Sequence, residues 1–178
     1  MTTPARLILV RHGEAAAGWG ADRDPGLSDR GRAQAEAAAE ALAPLGPLPV
    51  VVSPLRRTRE TAGALERTWD VSARVDPAVG EIRAPVEDLA ERAAWLSRLL
   101  STPWAAWPAE QQAWRRSVVD AFLGIAEDSV VVTHFVAITV AVGDQGYLPD
   151  YCSRTVVEHD GVRLRLVEQG QQRATVVR

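Results

Sequence analysis

The chain has 178 residues, 47% apolar and 24% charged, with a net charge of −3. That balance fits a single globular domain over 1–178 with its own core, and gives no electrostatic reason to bind nucleic acid or an anionic membrane. All 20 basic residues are arginine and Cys152 is the only cysteine, which excludes lysine Schiff-base chemistry, a Walker-type phosphate lysine, an intrachain disulfide and a multi-cysteine zinc site.

The first apolar run, "LILV" at 7–10, is too short for a signal peptide or a membrane span, so a cytoplasmic location is expected. Residues 5–10 read as a buried strand running into Arg11, His12 and Gly13. After a loop over 15–27, Ser28 is placed to cap an alanine-rich helix that runs to about Ala43. "VVV" at 50–52 reads as a second buried strand. The next helix is predicted from Pro54, with proline at its first position, to Trp69. "VSARV" at 71–75 is predicted as a third strand. Helices are predicted near 86–100, where Leu89, Ala93, Leu96 and Leu100 recur at helical spacing, and over 108–126. "SVVVT" at 129–133 reads as another buried strand, ending at His134, and a short apolar helix follows to Val142. A hairpin turning at Asp160-Gly161 closes the chain, with a frayed tail from 169.

This order of strands and helices predicts an α/β fold: a three-layer sandwich with a mixed, mainly parallel central sheet and helices on both faces. Ligands in such sheets collect at the carboxyl ends of the strands. Here one strand runs into Arg11 and His12, one into "SPLRRTRETA" at 53–62 and one into His134. Three strand ends carrying arginine and histidine form the pattern to be explained.

Four segments in this order resemble the histidine phosphatase superfamily, whose fold is phosphoglycerate mutase-like. They are "RHGE" at 11–14, "LSDRGRAQA" at 27–35, "SPLRRTRETA" at 53–62 and "VVVTHFVAI" at 130–138. The resemblance implies that His12 is the nucleophile and that Arg11, His12, Arg57, His134 and Phe135 bind phosphate. It also implies a proton donor before the next helices, and Glu81 in "VGEIRAP" fits that place. The implied reaction is hydrolysis of a phosphomonoester through a phosphohistidine, with no metal and no cofactor. A small phosphorylated metabolite is the expected substrate, with a phosphoprotein as the alternative.

The residue types suit that chemistry. Phosphoryl transfer requires stabilisation of three equatorial oxygens while one bond breaks and another forms. Arg11 and Arg57 supply planar, permanently charged forks, and His134 adds a third donor. His12 needs a neutral ring with one bare nitrogen, which neighbouring cations favour, its other nitrogen being fixed by a backbone carbonyl. Gly13 fits a close backbone approach or a positive φ.

Other features read as structural. Arg56 and Arg59 line a wet helix face, and His159 is expected exposed at the hairpin tip. Cys152 reads as a small buried residue, and no Cys-x5-Arg loop follows it. Asp22 and Asp24 stand in a loop rather than directly after a buried strand, so an aspartate-based phosphatase is not expected. Trp95, Trp104, Trp107 and Trp114 are expected to pack between two helices, with a cap beside the site as the alternative. Trp19, Arg83 and Trp104 are candidates for a specificity shell. A mutase-type phosphotransferase is disfavoured by the short, alanine-rich stretch after "RHGE" and by the absence of lysine. A non-catalytic phosphate-ligand sensor or scaffold on the same fold is the other alternative.

Overall fold

The apolar strands sort their side chains onto two faces with the period of two that a pleated strand imposes. In the computed structural model, which describes residues 4–172, the strands are β1 (Ala5–Arg11), β2 (Val50–Val52), β3 (Arg74–Val75), β4 (Ser129–Thr133), β5 (Arg154–His159) and β6 (Leu164–Glu168). The helices are α1 (Asp29–Leu42), α2 (Arg56–Trp69), α3 (Leu89–Leu100), α4 (Ala109–Leu123) and α5 (Phe135–Val142). Leu7, Leu9, Val51 and Val131 pack on one side against Val118 and Phe122 of α4 and Ala137 and Ile138 of α5. Ile8, Val10, Val50, Val52, Val130 and Val132 pack on the other against Ala35, Ala39 and Leu42 of α1 and Ala62, Leu65 and Trp69 of α2. Burying each such Val, Leu or Ile is worth about 1.5–3 kcal/mol, which holds the helices on both faces.

The strands form one sheet in the order β3-β2-β4-β1-β5-β6. β3, β2, β4 and β1 run parallel, while β5 pairs antiparallel with β1 and β6 with β5. This is the three-layer α/β architecture with a mixed, mainly parallel sheet. Its topology places the carboxyl ends of β2, β4 and β1 side by side along one rim.

Ser28 accepts from the Gly31 amide at 3.0 Å and caps α1 as expected. Gly13 and Gly31 are needed for close approach rather than for a positive φ. A Cβ on Gly13 would lie 2.5 Å from Gly31 O, and one on Gly31 would lie 2.1 Å from Glu14 O. The loop that follows β1 is thus pressed directly onto the start of α1.

Several boundaries move. α2 begins at Arg56 with Leu55 at its N-cap in extended backbone, so Pro54 precedes the helix instead of opening it. β3 is only two residues long. α3 starts at Leu89, where the Asp88 carboxylate accepts from the Glu91 amide at 3.0 Å. His159 is not an exposed tip residue: it is 4% exposed, because β5 is an inner strand and Ala5 pairs opposite it. Its Nε2 lies 2.8 Å from Ile125 O, and the Gly161 amide donates to its Nδ1. Residues 169–172 do not fray. Gly170 N donates to the Tyr147 hydroxyl, Asp150 N donates to Gln171 O, and Gln172 bridges to Pro149. The rest of the tail lies outside the described residues.

The tryptophans pack as core. Trp107 is buried with Ile82, Leu96, Leu99, Phe135 and Val136, and its indole N–H donates to Leu99 O and Thr102 O, each at 2.9 Å. Trp104 lies under Arg115, whose guanidinium is 4.1 Å from the ring centroid. Among the described residues no helix is long and apolar enough to cross a membrane.

Candidate active site

His12 follows the last residue of β1, Ser53 follows β2, and His134 follows β4. Helix α2 follows, and its buried second residue, Arg57, reaches back over these strand ends. Arg11, His12, Arg57 and His134 are 4%, 5%, 5% and 0% exposed. Charged and titratable groups this buried require partners; His12, Arg57 and His134 partner one another, and Arg11 turns to a backbone carbonyl and two aromatic rings.

His12 Nδ1 lies 2.7 Å from the Gly13 carbonyl oxygen. A carbonyl only accepts, so the proton sits on Nδ1 and Nε2 keeps its lone pair. Arg57 Nε donates to that Nε2 at 3.2 Å. Gly13 N donates to Thr61 Oγ1 at 3.0 Å, which ties the histidine's loop to α2. Burial, first, and then the charges of Arg57, His134 and Arg11 hold the His12 imidazole well below its ordinary range, against a smaller opposing effect of the Gly13 carbonyl. The ring is neutral at neutral pH.

His134 stands at the N-cap of α5 but makes no capping bond. Its Nε2 lies 2.7 Å from Ser53 Oγ, while Nδ1 lies 3.4 Å from Arg57 Nη2 and 3.3 Å from Glu81 Oε2. Burial lowers its basicity, with Glu81 opposing. The Glu81 side chain is 5% exposed, and its Oε2 lies 3.8 Å from Arg57 Nη2. Burial pushes the Glu81 carboxyl up, but His134, Arg57 and the Ile82 amide together outweigh it and hold it below the usual carboxylate range. Thr133 Oγ1 donates to Val79 O at 2.6 Å, which sets the segment leading to Glu81 against β4.

Arg11 donates from Nη1 to Pro149 O at 2.8 Å. Its guanidinium lies 3.9 Å from the Tyr151 ring centroid and 5.1 Å from that of Phe135. Phe135 therefore flanks the site through its ring as well as opening α5. Arg11, His12, Arg57, Glu81, Phe135 and Tyr151 line a cleft of about 770 Å3, shared with Trp19, Arg83 and Arg92, whereas His134 is fully buried and is not among its walls. Trp104 is not among its walls, which corrects its placement in the specificity shell. Asp24 Oδ1 accepts from Arg56 N at 2.7 Å, and Asp22 Oδ1 accepts from Asp24 N at 3.0 Å, so the aspartate pair shapes a loop and helix start. Arg56 is exposed and pairs with Glu60 at 2.7 Å. Among the described residues no group of three or more His, Cys, Asp or Glu is arranged to hold a metal ion.

The model of the histidine phosphatase superfamily, branch 1, matches residues 7–172. The chain belongs to that superfamily. A glucosyl-3-phosphoglycerate phosphatase of Mycolicibacterium vanbaalenii is 48% identical over 64 residues, covering 34% of this chain and 28% of that protein. The chain thus matches less than a third of that histidine phosphatase's length. A probable phosphoglycerate mutase of Erwinia tasmaniensis is 29% identical over 170 residues, covering 84% of this chain and 78% of that protein. Among solved histidine phosphatase folds, a mycobacterial glucosyl-3-phosphoglycerate phosphatase superposes with a TM-score of 0.69 at 23% identity, over 95% of this chain and 100% of that one. A phosphoserine phosphatase of Entamoeba histolytica in complex with 3-phosphoglyceric acid superposes at 0.73 with 17% identity, over 95% of this chain and 98% of that one. At these identities the two structures bear on the fold alone.

Sequence reasoning missed Ser53, Tyr151 and Arg92. Ser53 was within reach, since it directly follows β2. Tyr151 carried no signal, because its loop joins the sheet rim only through the antiparallel return of β5.

The two site histidines, both held below their ordinary range, predict how stability varies with pH. A histidine whose folded pKa lies below the unfolded value near 6.5 is destabilising when protonated, because the unfolded chain binds the proton first. Stability is therefore fully present above about pH 7 and is lost as pH falls below 6.5. The urea midpoint is expected to drop between pH 7.5 and 5.5, and to drop less in His12→Asn. A midpoint that stays constant over this range would contradict the buried, neutral imidazoles.

Proposed function

We propose that this single domain is a phosphomonoester hydrolase working through a phosphohistidine on His12, and that small phosphorylated metabolites are its substrates. The observation that carries this reading is the chain of contacts from His12 Nε2 to Arg57 at 3.2 Å, Arg57 to His134 at 3.4 Å and His134 to Glu81 at 3.3 Å. It joins three strand ends around one cleft. Relatives described as glucosyl-3-phosphoglycerate phosphatases support the same reading. A cytoplasmic location accords with a lone cysteine, which can form no intrachain disulfide.

The substrate's phosphoryl oxygens compete for the N–H groups of Arg57, which frees His12 Nε2. That nitrogen attacks phosphorus in line as the ester P–O bond breaks. Arg11, Arg57 and His134 hold the equatorial oxygens, stabilising charge that an unaided water attack would leave exposed. Nδ1 keeps its proton on the Gly13 carbonyl, so the phosphorylated ring is cationic and a good leaving group. Glu81 is ionised in the empty site. A bound phosphate dianion draws on the same Arg57 charge and adds its own repulsion, so Glu81 takes up a proton there. Glu81 gives that proton to the leaving alkoxide, then takes one from the water that attacks the phosphohistidine, returning His12 and releasing inorganic phosphate.

Arg11 and Arg57 supply fixed positive charge and His134 a further hydrogen-bonding group, so turnover is expected to need no metal. Hydrolysis of p-nitrophenyl phosphate in the presence of excess EDTA tests this: an unchanged rate is expected. Loss of activity on chelation, with recovery on adding back a divalent ion, would overturn the metal-independent reading. Binding of phosphoesters without turnover of any would favour the sensor.

A further inference from the structure

We propose that Tyr151 is a positioning residue for the reaction: its ring fixes the plane of the Arg11 guanidinium, so that this cation meets the phosphoryl oxygens in one orientation. The inference rests on the hydrolase reading of the His12 site and adds a residue that prepares it.

Arg11 and Arg57 line one cleft, and two like charges facing one space repel each other until an anion arrives. A long side chain free to swing away would have to be brought back at each turnover, which lowers the rate. Arg57 is held by its contacts with His12 Nε2 and His134 Nδ1. Arg11 is held differently. Its Nη1 donates to Pro149 O at 2.8 Å, which anchors one corner of the fork but does not set its plane. The Tyr151 ring does. Its centroid is 3.9 Å from the guanidinium carbon, a stacking distance, whereas that of Phe135 is at 5.1 Å. An aromatic face attracts a cation and fixes its plane, while the N–H groups point outward in that plane.

The Tyr151 ring is itself fixed. It stands in a turn clamped to the backbone of Arg11: Cys152 N donates to Arg11 O at 3.0 Å, and Arg11 N donates to Ser153 O at 3.4 Å. The Tyr151 amide donates to Asp150 Oδ1 at 2.7 Å, and the Ser153 hydroxyl donates to Asp150 O at 2.8 Å. Cys152 completes the turn at a φ of 54°. A non-glycine residue rarely takes this left-handed conformation, which persists where the surroundings over-determine it and is common at functional sites. Tyr151 also lines the cleft, with its centroid 5.9 Å from that of His12. One ring thus walls both the nucleophile and the arginine beside it. Among the described residues the Tyr151 hydroxyl forms no hydrogen bond, so the face of the ring, not its oxygen, makes the contact with Arg11.

The test uses the whole protein with isotope-labelled arginine. Nitrogen relaxation of the Arg11 Nε–H group, assigned by its loss in Arg11→Lys, reports how tightly the guanidinium is held. Hydrolysis of p-nitrophenyl phosphate is followed on the same samples. Tyr151→Leu is expected to lower kcat/KM by about tenfold or more and the Arg11 order parameter by about a third. Tyr151→Phe, which keeps the face, is expected to hold the rate within about twofold of native and to leave the order parameter unchanged. Should Tyr151→Leu fall short of the native urea midpoint, Tyr151→Gln carries the same expectations. A slower Tyr151→Leu with Arg11 still as ordered as in the native protein would overturn the proposal, because Tyr151 would not then act through Arg11. So would a mobile Arg11 with an unchanged rate. A Tyr151→Phe as slow as Tyr151→Leu would also overturn it, in favour of a hydroxyl contact with the substrate. If the native protein hydrolyses no phosphoester, the His12 reading fails and the role of Tyr151 falls with it. If it hydrolyses p-nitrophenyl phosphate and Tyr151→Leu does so equally well, only the positioning role fails.

Discussion

Replacing His12 by alanine is expected to lower p-nitrophenyl phosphate turnover by on the order of 10⁴-fold or more, the scale seen when a covalent nucleophile is removed. No neighbouring group is placed to replace it. The Ser53 hydroxyl is engaged with His134 at 2.7 Å, and Thr61 Oγ1 is bonded both to the Gly13 amide and to Arg57 O. The Cys152 thiol, pushed up to about 12 by burial, is almost wholly protonated at neutral pH and is a poor nucleophile. Water could still attack a phosphate held by Arg11 and Arg57, and that residual rate sets the floor. A urea midpoint close to that of the native protein separates lost chemistry from lost folding. Equal phosphate release by native protein and variant would end the assignment of His12.

The second large effect is expected from Glu81→Gln, and its size depends on the leaving group. An alkyl phosphate must expel a strongly basic alkoxide, so loss of the proton donor is expected to slow it by about 10²–10⁴-fold. p-Nitrophenolate needs little protonation, and its release is expected to slow by less than about tenfold. The substitution keeps the shape of the side chain and an oxygen for the Ile82 amide, which donates to Glu81 at 3.1 Å. It removes both the exchangeable proton and the charge facing His134 and Arg57. A structural fault would slow both substrates alike, so equal slowing would remove Glu81 from the acid's place.

The layers and the site were legible to different extents. The valine runs of β2 and β4 and the run into Arg11 announced buried strands, because continuous apolar residues can be satisfied only by cover on both faces. The convergence of Arg11, Arg57 and His134 followed from the strands that those residues end or follow. His159 was misread because its surroundings in sequence are a turn, whereas burial is decided by the strand paired beside it. The start of α2 was misread because proline at a first helical position is only a preference. Here the Ser53 hydroxyl meets His134, Leu55 is in extended backbone, and the helix begins after it. Arg92 gave no signal in the sequence, since one more arginine on an amphipathic helix looks solvated.

The most direct measurement is to quench the native protein in alkali during turnover of p-nitrophenyl phosphate and map any phosphate bound to it. Phosphate on the His12 peptide, formed and lost at rates that support steady-state turnover and absent from His12→Ala, is the expected result. A phosphoryl group on another residue, or turnover with no phosphorylated protein at any time, would contradict the account.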